Sequence, residues 1–390
     1  MKLLHQLGHK KNWNAESFYE NGVGDGFIFC AYSNEMDKIG KDFYGHSPEE
    51  YLPTSFLDLQ FYGGKDSTGG KLGTYPFHPI NRAESEETEP SLIEDIKAAI
   101  EYQKKVGFKK IIIPHIYNLH DKDYTINILK IINKYISENK SPEHEYFMTL
   151  PFSVKEIKDA DRVEQILQAA TDMHIKMDGY YVVCEQNLAS SRKISEDIEY
   201  YENLSRVFTT LQNQGFKLIF GFANVDALVF SAITPIDYVS IGTYEVQRNF
   251  NIVRYTEDIS GGGSKGWYFS EKLLGFVRSQ ELTLVRKNGG IPLISNEDNI
   301  FSDSILKEDY DWNIHKPEVH KNYLVAISKL LKEISLCETK EERINLILQK
   351  ALEARNLYRE LEQKGIFFSN ESSGYHLSFW QTALTQNLDL

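Results

Sequence analysis

Short, almost unbroken apolar runs return along this chain at intervals of about 35–40 residues, with amphipathic stretches between them. Few folds accommodate that rhythm. The runs are Gly26–Tyr32, Phe56–Tyr62, Lys110–Tyr117, Tyr146–Pro151, Gly179–Cys184, Lys217–Phe222 and Tyr238–Gly242, with an eighth at either Leu282–Arg286 or Ile291–Ser295. Continuous rather than alternating hydrophobicity is expected of parallel strands covered on both faces. Helices are predicted between them. Ser91–Lys105 opens with Ser91 and Glu94 at capping-box spacing, and Val154–Met173 follows Ser153 with Glu156 three residues on. Tyr124–Asn139 has helical periodicity, Ile194–Gln214 stops at Gly215, Asp226–Ile233 precedes Pro235, and Ser270–Arg278 follows a glycine cluster.

Sustained strand–helix alternation leaves an open doubly wound α/β sheet or a closed (β/α)8 TIM-type barrel. The strand count, the repeat length and the lack of a GxGxxG after the first run favour the barrel, with the open sheet as the alternative. The barrel is expected over residues 1–299. After Asn299 the strand rhythm ends, and 300–390 reads as a C-terminal helical extension. Its helices are Pro317–Ile334 and Lys340–Lys364, the second started by Thr339 with Glu342 and stopped by Gly365. The tail Gly374–Leu390 carries Tyr375, His376, Phe379 and Trp380. So many aromatics at a terminus imply docking, on its own barrel or on a second subunit or partner protein.

Charge and cysteine usage narrow the function. A net charge of −13 repels phosphate backbones, which argues against non-specific nucleic-acid binding. The three cysteines, Cys30, Cys184 and Cys337, are scattered, with no CxxC, so neither a zinc ribbon nor a disulfide framework is supported. The opening MKLLHQLGHKKNW lacks a signal-peptide core, and no run nears the ~20 apolar residues that span a bilayer, so a cytoplasmic protein is expected. Aromatics make up 13% of the chain, enough to fill a large core or to line a pocket.

Functional residues of a barrel come from the C-terminal ends of its strands. Glu185 and Glu245 fall at two such ends and are the first candidates for catalysis. Facing carboxylates push their pKa values apart, and glycosidic-bond cleavage uses such a pair. The alternative is that each anchors a loop through a salt bridge, with Arg248 or Arg192. His115, directly after an Ile-Ile-Ile-Pro run, is a third catalytic candidate, or a histidine hydrogen-bonded within the rim. With His120, Asp121 and Asp123 it offers a sparse metal set, but no HxH or HExxH is present and no cofactor is evident. Substrate contacts are expected from Asp58, Gln60, Tyr117, Asn187, Asn224, Tyr244 and Arg248.

The run Ser260–Ser270 is the most distinctive of the chain. Gly262 and Gly263 allow backbone amides to converge, Lys265 supplies a cation, and Trp267 follows, which suits either an anion or phosphate site or a lid over the site. Its spacing is not that of a P-loop. The stretch Lys217–Arg248, with Gly221, Asp226, Ala227, Leu228 and Ile236-Asp237, resembles a strand–helix–strand of tRNA-guanine transglycosylases, which are also barrels. It covers under a tenth of the chain. The position of that family's aspartate nucleophile is Ser240 here and its zinc-binding cysteine cluster has no counterpart, so the chain is not assigned to that family.

The expectation is a β/α-barrel enzyme, a hydrolase or transferase, acting on a polar, anionic or sugar- or nucleotide-containing small molecule. The favoured chemistry is hydrolysis or transfer at a glycosidic-type bond with carboxylate acid–base catalysis. The alternative is a non-catalytic barrel that serves as an assembly or regulatory subunit, either as a homo-oligomer or bound to a partner through its C-terminal helices and aromatic tail.

Overall fold

The computed structural model describes residues 1–83, 89–117, 123–172, 174–188, 192–257, 266–313 and 315–388. Eight parallel strands form one sheet: β1 (Lys2–Gln6), β2 (Gly26–Cys30), β3 (Phe56–Asp58), β4 (Lys110–Ile113), β5 (Glu145–Phe152), β6 (Gly179–Cys184), β7 (Lys217–Phe220) and β8 (Tyr238–Gly242). Their order is β3-β2-β1-β8-β7-β6-β5-β4. The first strand pairs with the last, Leu4 opposite Ser240, so the sheet curls on itself, which an open doubly wound sheet does not do. β3 and β4 close the circle side by side without a ladder of hydrogen bonds between them. The chain is a nearly closed TIM-type barrel.

The eighth strand is not where the apolar pattern placed it. Leu282–Lys287 and Ile291–Ile294 are short helices, and the missing strand is β1 at the N-terminus. Lys-Leu-Leu-His-Gln does not read as apolar because two of its buried side chains are polar. His5 is satisfied outside the barrel by the Val23 carbonyl and Asn14, and Gln6 inside it by Cys30 and Ser240. Once paired, such groups cost little to bury. Ser270–Arg278, expected as a helix, is instead an antiparallel hairpin of β9 (Trp267–Ser270) and β10 (Gly275–Arg278). Its alternating Trp, Tyr, Phe and Val suit a strand better than a helix. The helix predicted from Ser91 begins earlier, at Glu89, so Ser91 lies inside it rather than capping it. The stretch Val154–Met173 breaks at Asp159 into Val154–Lys158 and Ala160–Ala170, since the Asp159 side chain caps the second helix. The Ser153–Glu156 and Thr339–Glu342 capping boxes both form.

Alternation along each strand sorts the core into two layers. Ile111, Tyr180, Val182, Leu218 and Val239 point outward under the helices, whereas Leu4, Ile28, Phe56, Ile112, Phe147, Tyr181 and Ile219 fill the barrel. Helix Pro317–Ser335 lies against both Lys11–Tyr19 and Ala227–Ile233, so it occupies the place in the outer ring between the last strand and the first. The tail docks on its own barrel. Leu377–Leu388 packs on Ile198–Asn213, with Trp380 fully buried and its indole N–H donating to Tyr201 at 2.8 Å. No helix among the described residues is long and apolar enough to cross a membrane.

Candidate functional site at the barrel mouth

The barrel interior changes character toward the C-terminal ends of its strands. Low in the barrel the inward side chains are Phe56, Phe147 and Tyr238 in edge-to-face contact. Two residues beyond the inward-facing Leu4, Ile28, Phe56 and Tyr238 come Gln6, Cys30, Asp58 and Ser240, all buried. Gln6 Nε2 donates to Cys30 Sγ at 3.0 Å, and the Ser240 hydroxyl donates to Gln6 Oε1.

Asp58 is the centre of this polar layer. Its Oδ2 accepts from the hydroxyls of Tyr62 (3.1 Å) and Tyr181 (3.2 Å), and its Oδ1 from the Gln60 amide (2.9 Å). Burial raises its pKa from the usual 3.8 to about 7, and these three hydrogen bonds hold the rise in check. Burial and the Asp58 charge also push the hydroxyls of Tyr62 and Tyr181 well up.

Directly above lies a cleft of about 380 Å3, lined by Leu7, His9, Cys30, Tyr32, Gln60, Phe222, Gln247, Arg254, Tyr255 and Glu257. Asp58 sits just beneath its wall, because its register partner Cys30 and its hydrogen-bonded neighbour Gln60 both line the cleft. Gln60 is held at both ends: Oε1 accepts from the Tyr32 amide at 2.9 Å, and Nε2 donates to the Tyr255 hydroxyl at 3.1 Å. Two lining residues have left-handed backbones, Gln60 (φ 55°) and Phe222 (φ 52°). For side chains of this size such a conformation costs of order 1–3 kcal/mol and is concentrated at functional sites. Glycines make room. A Cβ on Gly242 or Gly8 would overlap Gln247, and one on Gly221 would overlap the Tyr181 ring.

The residues singled out from sequence occupy several distinct places. Gln60 belongs to the wall of the cleft, and Asp58 lies beneath that wall. Glu185 spends both oxygens on backbone amides, Ile252 at 2.8 Å and Val154 at 3.2 Å, and so ties the segment after β8 to the barrel. Glu245 pairs with Lys193 at 2.7 Å and lines a smaller recess with Arg248 and Asn224. Arg248 is buried, stacked 3.6 Å from the Tyr323 ring centre, and donates to the carbonyls of Gly242 and Thr243. Asn224 bridges the Lys193 carbonyl and the Tyr323 hydroxyl.

His115 is buried on the outer side of the barrel against Tyr124, with Nδ1 on the Ile116 carbonyl. Burial lowers its pKa to about 4, which keeps it neutral. Tyr117 packs against the interior cluster, Tyr244 makes tilted ring contacts with Trp13 and His320, and Asn187 donates to Asp197. Trp267 starts β9 beneath Lys193 and Arg278. Gly262, Gly263 and Lys265, like His120 and Asp121, lie outside the described residues. Among the described residues no three His, Cys, Asp or Glu side chains gather as a metal-binding group.

Sequence reasoning missed Tyr62, Tyr181 and Tyr255 as partners of this site. Tyr181 stands inside an apolar run, and Tyr255 follows β8 at a distance, so nothing in their spacing marked them. Cys30 carries no signal in the sequence beyond its place in an apolar run. The inward alternation that places it beside Asp58 was legible once β2 had been assigned.

No family model matches the chain, and no curated protein matches it. Among solved structures it is similar to dihydrodipicolinate synthase from Oceanobacillus iheyensis, at 10% identity over 100% of this chain and 97% of that one, with a TM-score of 0.34. At that level the likeness carries no argument about chemistry.

Proposed function

We propose that this barrel is an enzyme acting on a small, polar, hydroxyl-bearing substrate held in the mouth cleft, with Asp58 storing and releasing the proton of an acid–base step. The observation that carries this reading is the buried Asp58–Tyr62–Tyr181 layer lying immediately beneath a cleft at the C-terminal ends of the strands. A carboxyl that titrates near neutrality is suited to proton transfer at physiological pH. Tyr255, Gln60 and Arg254 are the groups that would touch substrate. Hydrolysis or transfer at a glycosidic-type bond is one form such chemistry takes, with Glu185 and Glu245 as its acid–base pair. Asp58 is better placed than either, since Glu185 is committed to two backbone amides and Glu245 to Lys193.

The test begins with a thermal-shift screen of sugars, polyols, sugar phosphates and hydroxy acids. The stabilising compound is then assayed for turnover by the wild type and by Asp58→Asn. The expected result is a fall in kcat of about 100-fold or more, with loss of the pH-rate limb near 7 and little change in KM. Turnover by Asp58→Asn at the wild-type rate with the same pH profile refutes the assignment.

A further inference from the structure

Beside the mouth cleft lies a second recess, of about 90 Å3, whose wall carries four cations, Arg192, Lys193, Arg248 and Arg254, and one carboxylate, Glu245. That concentration of positive charge is out of keeping with a chain of net charge −13. Two of the cations are accounted for by ion pairs, Arg192 with Glu196 and Lys193 with Glu245. The other two hydrogen-bond to backbone carbonyls, and the carboxylate whose charge reaches both is the same Glu245 that pairs with Lys193. Arg248 donates to Gly242 and Thr243 over Tyr323, and Arg254 to Val246 (2.7 Å) and Asn249 (2.8 Å). One carboxylate shared among Lys193, Arg248 and Arg254 leaves the recess with an excess of positive charge, and a bound oxyanion would balance it.

Two further observations point the same way. Arg254 lines both the recess and the cleft, so one side chain joins them. Asn249, which also lines the recess, has a buried amide oxygen with no hydrogen-bond partner, an acceptor suited to a ligand hydroxyl.

We infer that this recess binds the anionic end of the substrate, a phosphate or carboxylate group next to a hydroxyl, while the rest of the molecule occupies the cleft above Asp58. Lys193, Arg248 and Arg254 hold the oxyanion, and Arg254 sets its distance from the reacting part. The substrate class is therefore a phosphorylated or acidic polyhydroxy compound. This deepens the reading given under Proposed function and rests on it for the placement of the reacting end only.

The experiment titrates inorganic phosphate and, separately, acetate into the full-length protein by calorimetry at constant ionic strength. It compares the wild type with Arg254→Gln, Lys193→Gln and Asp58→Asn. Saturable one-to-one binding is expected to the wild type and to Asp58→Asn alike, weakened tenfold or more in Arg254→Gln and in Lys193→Gln. Binding of phosphate alone, acetate alone or both identifies the group and supports the site.

Arg254→Gln loses two hydrogen bonds to loop carbonyls and is checked for its melting temperature. Lys193→Gln keeps those bonds but breaks the ion pair with Glu245, so it is compared with Lys193→Gln/Glu245→Gln, in which no carboxylate is left unpaired in the recess and binding is expected to stay weakened. Absence of saturable binding of either anion to the wild type overturns the inference, as does undiminished binding in Lys193→Gln. Because Asp58 takes no part in holding the anion, failure of its acid–base role would show in turnover while leaving these titrations unchanged.

Discussion

Replacing Asp58 with Asn isolates the electrostatic cost of the polar layer under the cleft. In the unfolded chain Asp58 ionises at its ordinary value of 3.8; in the fold it does so at about 7. A raised folded pKa means the native state holds the proton more tightly than the unfolded state. The wild type therefore carries no penalty from this group below pH 4 and loses stability as pH rises from about 4 to about 7. The penalty is fully present above that window. The gap corresponds to roughly 4 kcal/mol at neutral pH.

Asparagine cannot ionise, and its side-chain oxygen still accepts from Tyr62, Tyr181 or the Gln60 amide. Its stability relative to wild type should thus climb by about 4 kcal/mol between pH 4 and pH 8. The assay is urea unfolding of both proteins at several pH values across that range. Every other titrating group acts equally on the two and cancels in the difference. A difference that stays flat with pH would mean that Asp58 ionises near its ordinary value, and the argument from burial would fail.

Three further outcomes follow from contacts already described. Trp380→Ala removes a fully buried ring and its hydrogen bond to Tyr201, so a loss of about 3–5 kcal/mol is expected, read as a lower unfolding midpoint. An unchanged midpoint would show that the tail does not hold the barrel. His115 has its pKa lowered to about 4, so it contributes stability above pH 6.5 that is lost as pH falls through 4. His115→Gln should be less acid-sensitive than wild type by roughly 3 kcal/mol over that interval in parallel denaturation curves. Gly221→Ala drives a methyl into the Tyr181 ring and should cost about 1–3 kcal/mol while disturbing the Tyr181–Asp58 hydrogen bond. Wild-type stability, together with an unaltered Asp58 titration, would count against that packing.

Seven of the eight strands announce themselves because a doubly covered strand must be apolar on both faces, and Lys110–Ile113 or Gly179–Cys184 has little else it can be. Local capping chemistry likewise set the starts at Ser153 and Thr339 and the stop at Gly365, since those bonds form within a few residues. What the sequence alone determined is therefore the repeating strand–helix pattern, and with it the end of the barrel at which a site belongs.

The tertiary structure decided what depends on partners distant in the chain. Lys2–Gln6 is a strand because β8, more than 230 residues away, and β2 lend it hydrogen bonds, and because Gln6 finds Ser240. Glu185 and Glu245 looked alike from their positions, yet one meets backbone amides and the other a lysine. Asp58 was one polar residue among many until Tyr62, just past the end of β3, and Tyr181, within β6, closed over it and buried it. Burial and pairing are properties of a packed neighbourhood rather than of residue type or spacing, so the chemistry of a carboxylate is set only when the barrel closes.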